Sequence, residues 1–386
     1  MEFSLNDDQR AFIASARAFS EGELAPNAAR WDEEHCFPKD TFVAAGKLGF
    51  MGMYAPEAAG GLGLSRLDSS LIIEELAKGC TVTTAFLTIH NMVVNMIGRY
   101  GSESLIEQWC PQLIAGEKLA SYCLTEPAAG SDAASLTTGA VLDGDHYVVN
   151  GSKVFISGAG ETDLLVVMLR TGGAGAKGIS ALAIEANSEG ISYGKNELKM
   201  GWRAQPTRTI SFEDVRVPAA NLLGSEGQGF KIAMEGLDGG RINIATCSVG
   251  TAQAAIEAAL SYTAERKQFG KAISEFQVTQ FKLADMATEL VAARQMVRLA
   301  AFKLDQQHSD ATTYCAMAKR LATDAGFAIC NEALQLHGGY GYMCEYPLER
   351  YLRDTRVHQI LEGTNEIMRV IIARRLMLDG AMEIIR

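Results

Sequence analysis

The hydrophobic period of this chain changes twice, and that constrains the fold more than any single motif. Asn6 with Gln9 three residues on is a capping-box signal, and Phe12, Ile13, Ala16 and Phe19 then share one helical face until Pro26. Helical spacing continues through 40–48, 67–78, 84–100 and 104–115. Between Leu119 and Phe212 the pattern becomes short β-rich runs (147–150, 153–156, 164–169, 180–184), punctuated by Asp143-Gly144, Asn150-Gly151, Gly172-Gly173 and Gly178. After Gly224 and Gly229 the helical period returns in long segments around 230–263, 276–304, 308–337 and 364–378. The spacing predicts an α+β chain, mainly α: an N-terminal helical domain (1–118), a central antiparallel β domain, sandwich or barrel (119–228), and a C-terminal helical domain (229–386). No strand is followed by a G-x-G-x-x-G turn, which removes the doubly wound dinucleotide fold.

A net charge of −11 argues against nucleic acid as a partner, because phosphate contacts need a clustered excess of Lys and Arg. The eight cysteines contain no C-x-x-C pair and stand at no zinc-type spacing to the six histidines, so no metal is expected and the thiols read as buried and reduced. No apolar run approaches the ~20 residues that span a bilayer, and the first residues form neither an apolar nor an Arg-rich leader. The expectation is a cytoplasmic protein, or a mitochondrial matrix protein if this is a processed form.

Five segments carry side chains suited to chemistry. Tyr122 to Asp132 combines a Pro/Gly turn with the hydroxyls of Thr125 and Ser131, which suits the polar edge of a planar ring or a phosphate, or simply a surface turn. Phe155-Ile156-Ser157, expected to follow a hairpin, offers an aromatic face and a hydroxyl for a ring, although an aromatic there is also what a core needs. Arg266, ahead of Phe276 and Gln277, carries a fork of donors that fits a pyrophosphate; a solvated charge cluster is the alternative. Gly239 and Gly240, between Asp238 and Arg241, cost a helix about 2 kcal/mol relative to Ala, which close approach of a ligand or a neighbouring helix would explain. Glu362 follows Ile360 and Leu361 and precedes Gly363, with the Gly-rich run Gln335 to Tyr342 upstream. A lone acid in apolar company has its charged form disfavoured, so its pKa rises toward neutrality, as a catalytic base requires.

These segments, in this order, resemble the acyl-CoA dehydrogenase family over essentially the whole chain. The specific motifs are C-L-T-E-P-A-A-G-S-D-A-A-S from Cys123 to Ser135 and Q-L-H-G-G-Y-G-Y-M-C-E-Y-P-L-E-R-Y-L-R-D from Gln335 to Asp354. The resemblance implies a C-terminal four-helix bundle, a homotetramer, FAD as cofactor, an acyl-CoA substrate and an electron-transfer flavoprotein as electron acceptor. It places FAD against Tyr122, Leu124, Thr125, Gly130 and Ser131 and against Phe155, Ile156 and Ser157, with Thr125 and Ser157 bonding the isoalloxazine edge. Phe155 departs from the Trp common there. Arg266, Phe276 and Gln277 would reach the FAD of a neighbouring subunit, Gln335, Gly338 and Gly339 its ADP part, and Thr364, Asn365 and Glu366 would close over it. Ser131, Asp238, Gly239, Gly240, Arg241, Leu361, Gly363 and Arg374 match positions that contact the acyl-CoA.

In the mechanism so implied, Glu362 removes the α-proton of a thioester while the β-hydrogen leaves as hydride to flavin N5. Some members carry the base immediately before the Arg of the helix that bears Leu237 to Arg241; here that residue is Gly240, which accepts no proton. The stretches Val357 to Met368 and Phe155 to Glu161 look most like members that desaturate a short 2-methyl-branched chain, isobutyryl-CoA in valine breakdown. Leu361 leaves room for a methyl branch where straight-chain enzymes often carry Tyr. One methyl is worth only about 1–3 kcal/mol, so 2-methylbutyryl-CoA and butyryl-CoA remain alternatives. A non-catalytic binding relative is the reading from a different class.

Overall fold

The computed structural model describes residues 4–378 and 380–384. Six helices come first: α1 (Asp7–Phe19), α2 (Ala28–Glu33), α3 (Lys39–Lys47), α4 (Arg66–Gly79), α5 (Thr81–Tyr100) and α6 (Glu103–Ile114). The capping box forms as expected, with Asn6 Oδ1 accepting from the Gln9 amide and Gln9 Oε1 from the Asn6 amide. Beyond Phe19 one wider turn carries the helix on to Leu24.

Seven strands follow: β1 (Ala120–Cys123), β2 (Gly139–Asp143), β3 (His146–Ser157), β4 (Leu164–Arg170), β5 (Ile179–Glu185), β6 (Ile191–Tyr193) and β7 (Thr207–Pro218). They form one connected sheet, mostly antiparallel, in which β4 also lies parallel to β1 and touches β2 in parallel register. Asp143-Gly144 makes the β2–β3 hairpin, with Gly144 at φ 63°. Asn150-Gly151 does not turn the chain. It sits inside β3, where the pairing with β7 slips and Gly151 takes φ 142° so close to Thr138 that a Cβ would stand 2.7 Å from the Thr138 Cα. Phe155 therefore ends one long strand rather than following a hairpin of its own.

The C-terminal part is built on α7 (Gly229–Glu265), α8 (Gln277–Asp305), α9 (Ala311–His337), α10 (Leu348–Arg356) and α11 (Asn365–Leu376), with a small hairpin of β8 (Lys267–Gln268) and β9 (Lys271–Ala272) between the first two. α7 is rich in Gly and Ala and packs against α9, α4, α5 and α8, so its middle is the centre of the molecule. Small residues let neighbouring backbones approach closely, which is what brings polar groups from several elements to one place on α7. The eight cysteines are free thiols, six of them buried.

Candidate active site

Glu362 stands at the meeting point of β1, the middle of α7, α9 and the segment after α10. It occupies the left-handed region (φ 57°), followed by Gly363 at φ 88°. That conformation costs a non-glycine residue about 1–2 kcal/mol and persists only where surroundings hold it. Here Lys319 of α9, with no exposed surface, donates from Nζ to the Gly363 carbonyl (2.7 Å) and to Asn365 Oδ1 (2.9 Å). Asn365 in turn donates to Thr323 Oγ1 (2.9 Å) and Asp324 Oδ1 (2.7 Å), and Thr364 caps α11.

The loop is partly exposed, but the carboxyl end is enclosed: Glu362 Oε2 is buried with no hydrogen-bond partner among the described residues. Burial pushes the carboxyl up to about 7, against the opposing pull of Arg241 and Lys319. Lys319 is itself held down to about 8 by burial, with Glu362 working the other way. The carboxyl lies on the bare face of α7. A Cβ built on Gly240 would overlap Glu362 Oε2 and stand 2.9 Å from its Cδ. A Cβ on Gly239 would strike the Arg66 guanidinium, 2.6 Å from its Cζ, and that guanidinium is stacked 3.5 Å over the Tyr54 ring. Each glycine of the pair thus makes room for a charged side chain from another element.

Arg241 is buried; its Nη1 donates to Asp238 Oδ1 (2.6 Å), whose Oδ2 accepts from Thr312 (2.6 Å), and the Arg241 Nε has no partner among the described residues. Tyr122 of β1 faces the same space, its hydroxyl buried, without a partner among the described residues, and raised well above the usual phenol range by burial and by Glu362. Next to it, Ser121 Oγ donates to the Ser157 carbonyl (2.7 Å), which ties β1 to the end of β3. Phe155 at that end is 69% exposed with φ 57°, so it is no core aromatic; a flat apolar ring is displayed to the outside in a strained conformation. The loop after β1 is pinned from inside. Glu126 accepts from the Thr137 and Thr138 amides (2.6 and 2.9 Å) and from Lys153 Nζ (2.7 Å), and Lys153 also donates to the Leu124 carbonyl (2.9 Å). This leaves Thr125 half-buried and Gly130 and Ser131 exposed, with open space at the Gly130 Cα.

Four of the other expected residues gather at a second place. Arg266, Gln335, Gly338 and Gly339 line a cleft of about 620 Å³ with Tyr262, His337, Tyr340 and Met343. Arg266 lies over the Tyr340 ring, and Phe276 beside Phe269, which is almost wholly exposed. Gln277 begins α8, Glu366 is exposed near Arg369, and Arg374 sits in the last turn of α11. Along α7, Arg241 and Arg266 are 25 residues apart, about 38 Å at 1.5 Å per residue. The two groups are separate surfaces of one chain.

Sequence reasoning missed Arg66, Tyr54, Lys319 and the Glu126–Lys153 pair. Lys319 had a signal: it interrupts a buried small-residue face formed by Cys315, Ala316, Ala322, Thr323 and Gly326, where a lysine without a partner would not stay.

Three family models cover the chain: the acyl-CoA dehydrogenase N-terminal domain over residues 6–117, the middle domain over 121–215 and the C-terminal domain over 227–377. The chain belongs to the acyl-CoA dehydrogenase family. It is 55% identical over 375 residues to the mitochondrial isobutyryl-CoA dehydrogenase of Bos taurus, covering 97% of this chain and 90% of that one. The corresponding protein of Dictyostelium discoideum is 53% identical over 376 residues, with the same coverage. Among solved structures, butyryl-CoA dehydrogenase from Megasphaera elsdenii superposes with a TM-score of 0.94 at 40% identity, covering 98% of this chain and 100% of that one.

Proposed function

We propose that this acyl-CoA dehydrogenase desaturates a short branched acyl-CoA between Cα and Cβ, with isobutyryl-CoA giving methacrylyl-CoA as its reaction, and with Glu362 as the base. The observation that carries the assignment is an enclosed, unpartnered carboxyl poised at about 7, beside a bare stretch of helix. Such a group binds a proton from carbon readily and needs no partner to be displaced first. Lys319 and Asn365 hold its loop, and Arg241 keeps enough of it ionised at neutral pH.

The residues fit FAD. Phe155 displays a ring face, Tyr122 brings a buried unpartnered hydroxyl, and open space lies at the Cα of Gly130, Gly338 and Gly339, where backbone can approach a ligand. FAD supplies the hydride acceptor when bound. Thr125 and Ser157 would hold the edge of its ring, with Leu124 and Ile156 beside it. Because Arg266, Gln335, Gly338 and Gly339 lie so far along α7 and α9, they would serve the FAD of a neighbouring copy, together with Phe276 and Gln277, which supports a homotetramer. Electrons would pass to an electron-transfer flavoprotein, as is general in the family. The identity to the two isobutyryl-CoA dehydrogenases supports the substrate, and Leu361, smaller than Tyr, would leave room for the methyl branch.

The test is anaerobic titration of the yellow protein with isobutyryl-, 2-methylbutyryl-, isovaleryl-, butyryl- and octanoyl-CoA, following flavin bleaching. Isobutyryl-CoA is expected to bleach it at the lowest concentration. Strongest bleaching by octanoyl-CoA would remove the short branched assignment.

A further inference from the structure

We infer that Gln205 sets the hydrogen-bonding polarity of Ser157, fixing its hydroxyl as a donor toward the cofactor; this rests on the flavin reading above. Gln205 is 1% exposed, and its Nε2 donates to Ser157 Oγ at 2.7 Å. A carboxamide nitrogen only donates, so it occupies a lone pair of the serine oxygen and leaves the single hydroxyl proton to point elsewhere. The Ser157 carbonyl is already taken by Ser121 Oγ, which itself meets Thr162 Oγ1 at 2.8 Å. The hydroxyl proton of Ser157 is thereby left for a ligand. Gln205 keeps this arrangement although its own Oε1 is buried without a partner among the described residues, which costs stability.

The amide is held from the far side of the site. Gln205 lies on the connection between β6 and β7, where Lys199 Nζ donates to its carbonyl and to Thr207 Oγ1. The Trp202 amide donates to Asp354 Oδ1 of α10 (2.7 Å), and Gly201 is pressed so close to α10 that a Cβ would stand 2.5 Å from the Arg353 carbonyl oxygen. Trp202, at φ 54°, sets its ring edge-on to His358, four residues before Glu362. One connection thus links the segment that carries the base to the hydroxyl that faces the ring. In oxidised flavin the nitrogen that receives hydride presents a lone pair, and a hydroxyl fixed as donor is complementary to it.

The experiment measures Kd of flavin-stripped full-length protein for FAD and for 5-deaza-FAD, in which that nitrogen is replaced by carbon, in the parent, Gln205→Glu and Gln205→Met. The parent is expected to prefer FAD by about 5–10-fold, the worth of one neutral hydrogen bond. Gln205→Glu, whose buried carboxyl accepts from the serine hydroxyl only when ionised, should bring the two Kd values together as pH is raised, and Gln205→Met, which frees the hydroxyl to rotate, should narrow the ratio to about twofold. A purely structural role would weaken both flavins by one factor and leave the ratio unchanged, which overturns the inference, as does a parent without preference. Should Gln205→Glu fail to fold, Gln205→Met alone decides. A parent that binds neither flavin would overturn the flavin reading itself, and this inference with it.

Discussion

Two buried glutamates in this molecule have opposite surroundings, and the contrast separates scaffold from chemistry. Glu126, in the sheet region, is surrounded by donors. Burial alone would raise its pKa, but Lys153, Thr138 and the Thr137 amide outweigh that and bring it down to about 2. Glu362, in the helical region, has cations nearby but no hydrogen-bond donor on Oε2, and burial lifts it to about 7. The first is locked as an anion and can only hold a loop. The second is set to exchange a proton near neutral pH.

The contrast breaks most sharply at Glu362. Glu362→Gln is expected to lower turnover by about 10²–10⁴-fold while bound FAD remains yellow; steady-state assay with isobutyryl-CoA measures it, and more than a tenth of the parent rate would end the base assignment. The same carboxyl sets a pH dependence. With its folded pKa raised, kcat/KM should climb as pH rises through about 7. Its ionisation also costs stability as pH rises from its unfolded pKa near 4.5 to about 7, so Glu362→Gln should gain on the parent over that window, by on the order of 2–3 kcal/mol in urea unfolding. Taking the difference between the two proteins removes the contribution of Asp354, which burial also lifts to about 7.

Lys153→Met tests the other member. It leaves Glu126 buried without its cation, and breaking such a pair typically costs about 3–5 kcal/mol. Glu126 contributes stability that is present above its unfolded pKa and is lost as pH falls from about 4.5 to about 2. Urea unfolding at pH 7 should show the loss. A change below about 1 kcal/mol would mean that the pair does not hold the loop.

The helical and sheet regions were legible because burial writes a period into the sequence: α1, α3 to α9 and α11 each follow an apolar repeat. Asn150-Gly151 misled because the pair that turns a hairpin also suits a bulge, and only the partner strand decides. Glu362 was expected from its apolar sequence neighbours Ile360 and Leu361, whereas its carboxyl faces Gly240, Arg241, Lys319 and Tyr122 from other elements. Lys319, Arg66 and Gln205 act through contacts with residues 44, 173 and 48 positions away, and no local pattern reports such pairings. The glycine pair was seen as unusual, but its two occupants could be named only from the fold.

Gly240 sharpens the contrast with the smallest change. Glu126 is positioned by what surrounds it, whereas Glu362 owes its position partly to what is missing from α7. Gly240→Ala adds one methyl where the Glu362 carboxyl lies, overlapping Oε2, so the carboxyl must move. The alanine itself favours the helix by about 1 kcal/mol, so overall stability should stay level or rise slightly. Turnover should nevertheless fall about tenfold, since a base displaced by an ångström loses most of its alignment with the proton it takes. Stability by urea unfolding and kcat from the same preparation make the test. A variant as active as the parent would show that the carboxyl has a second productive position, and that the bare face of α7 serves only packing.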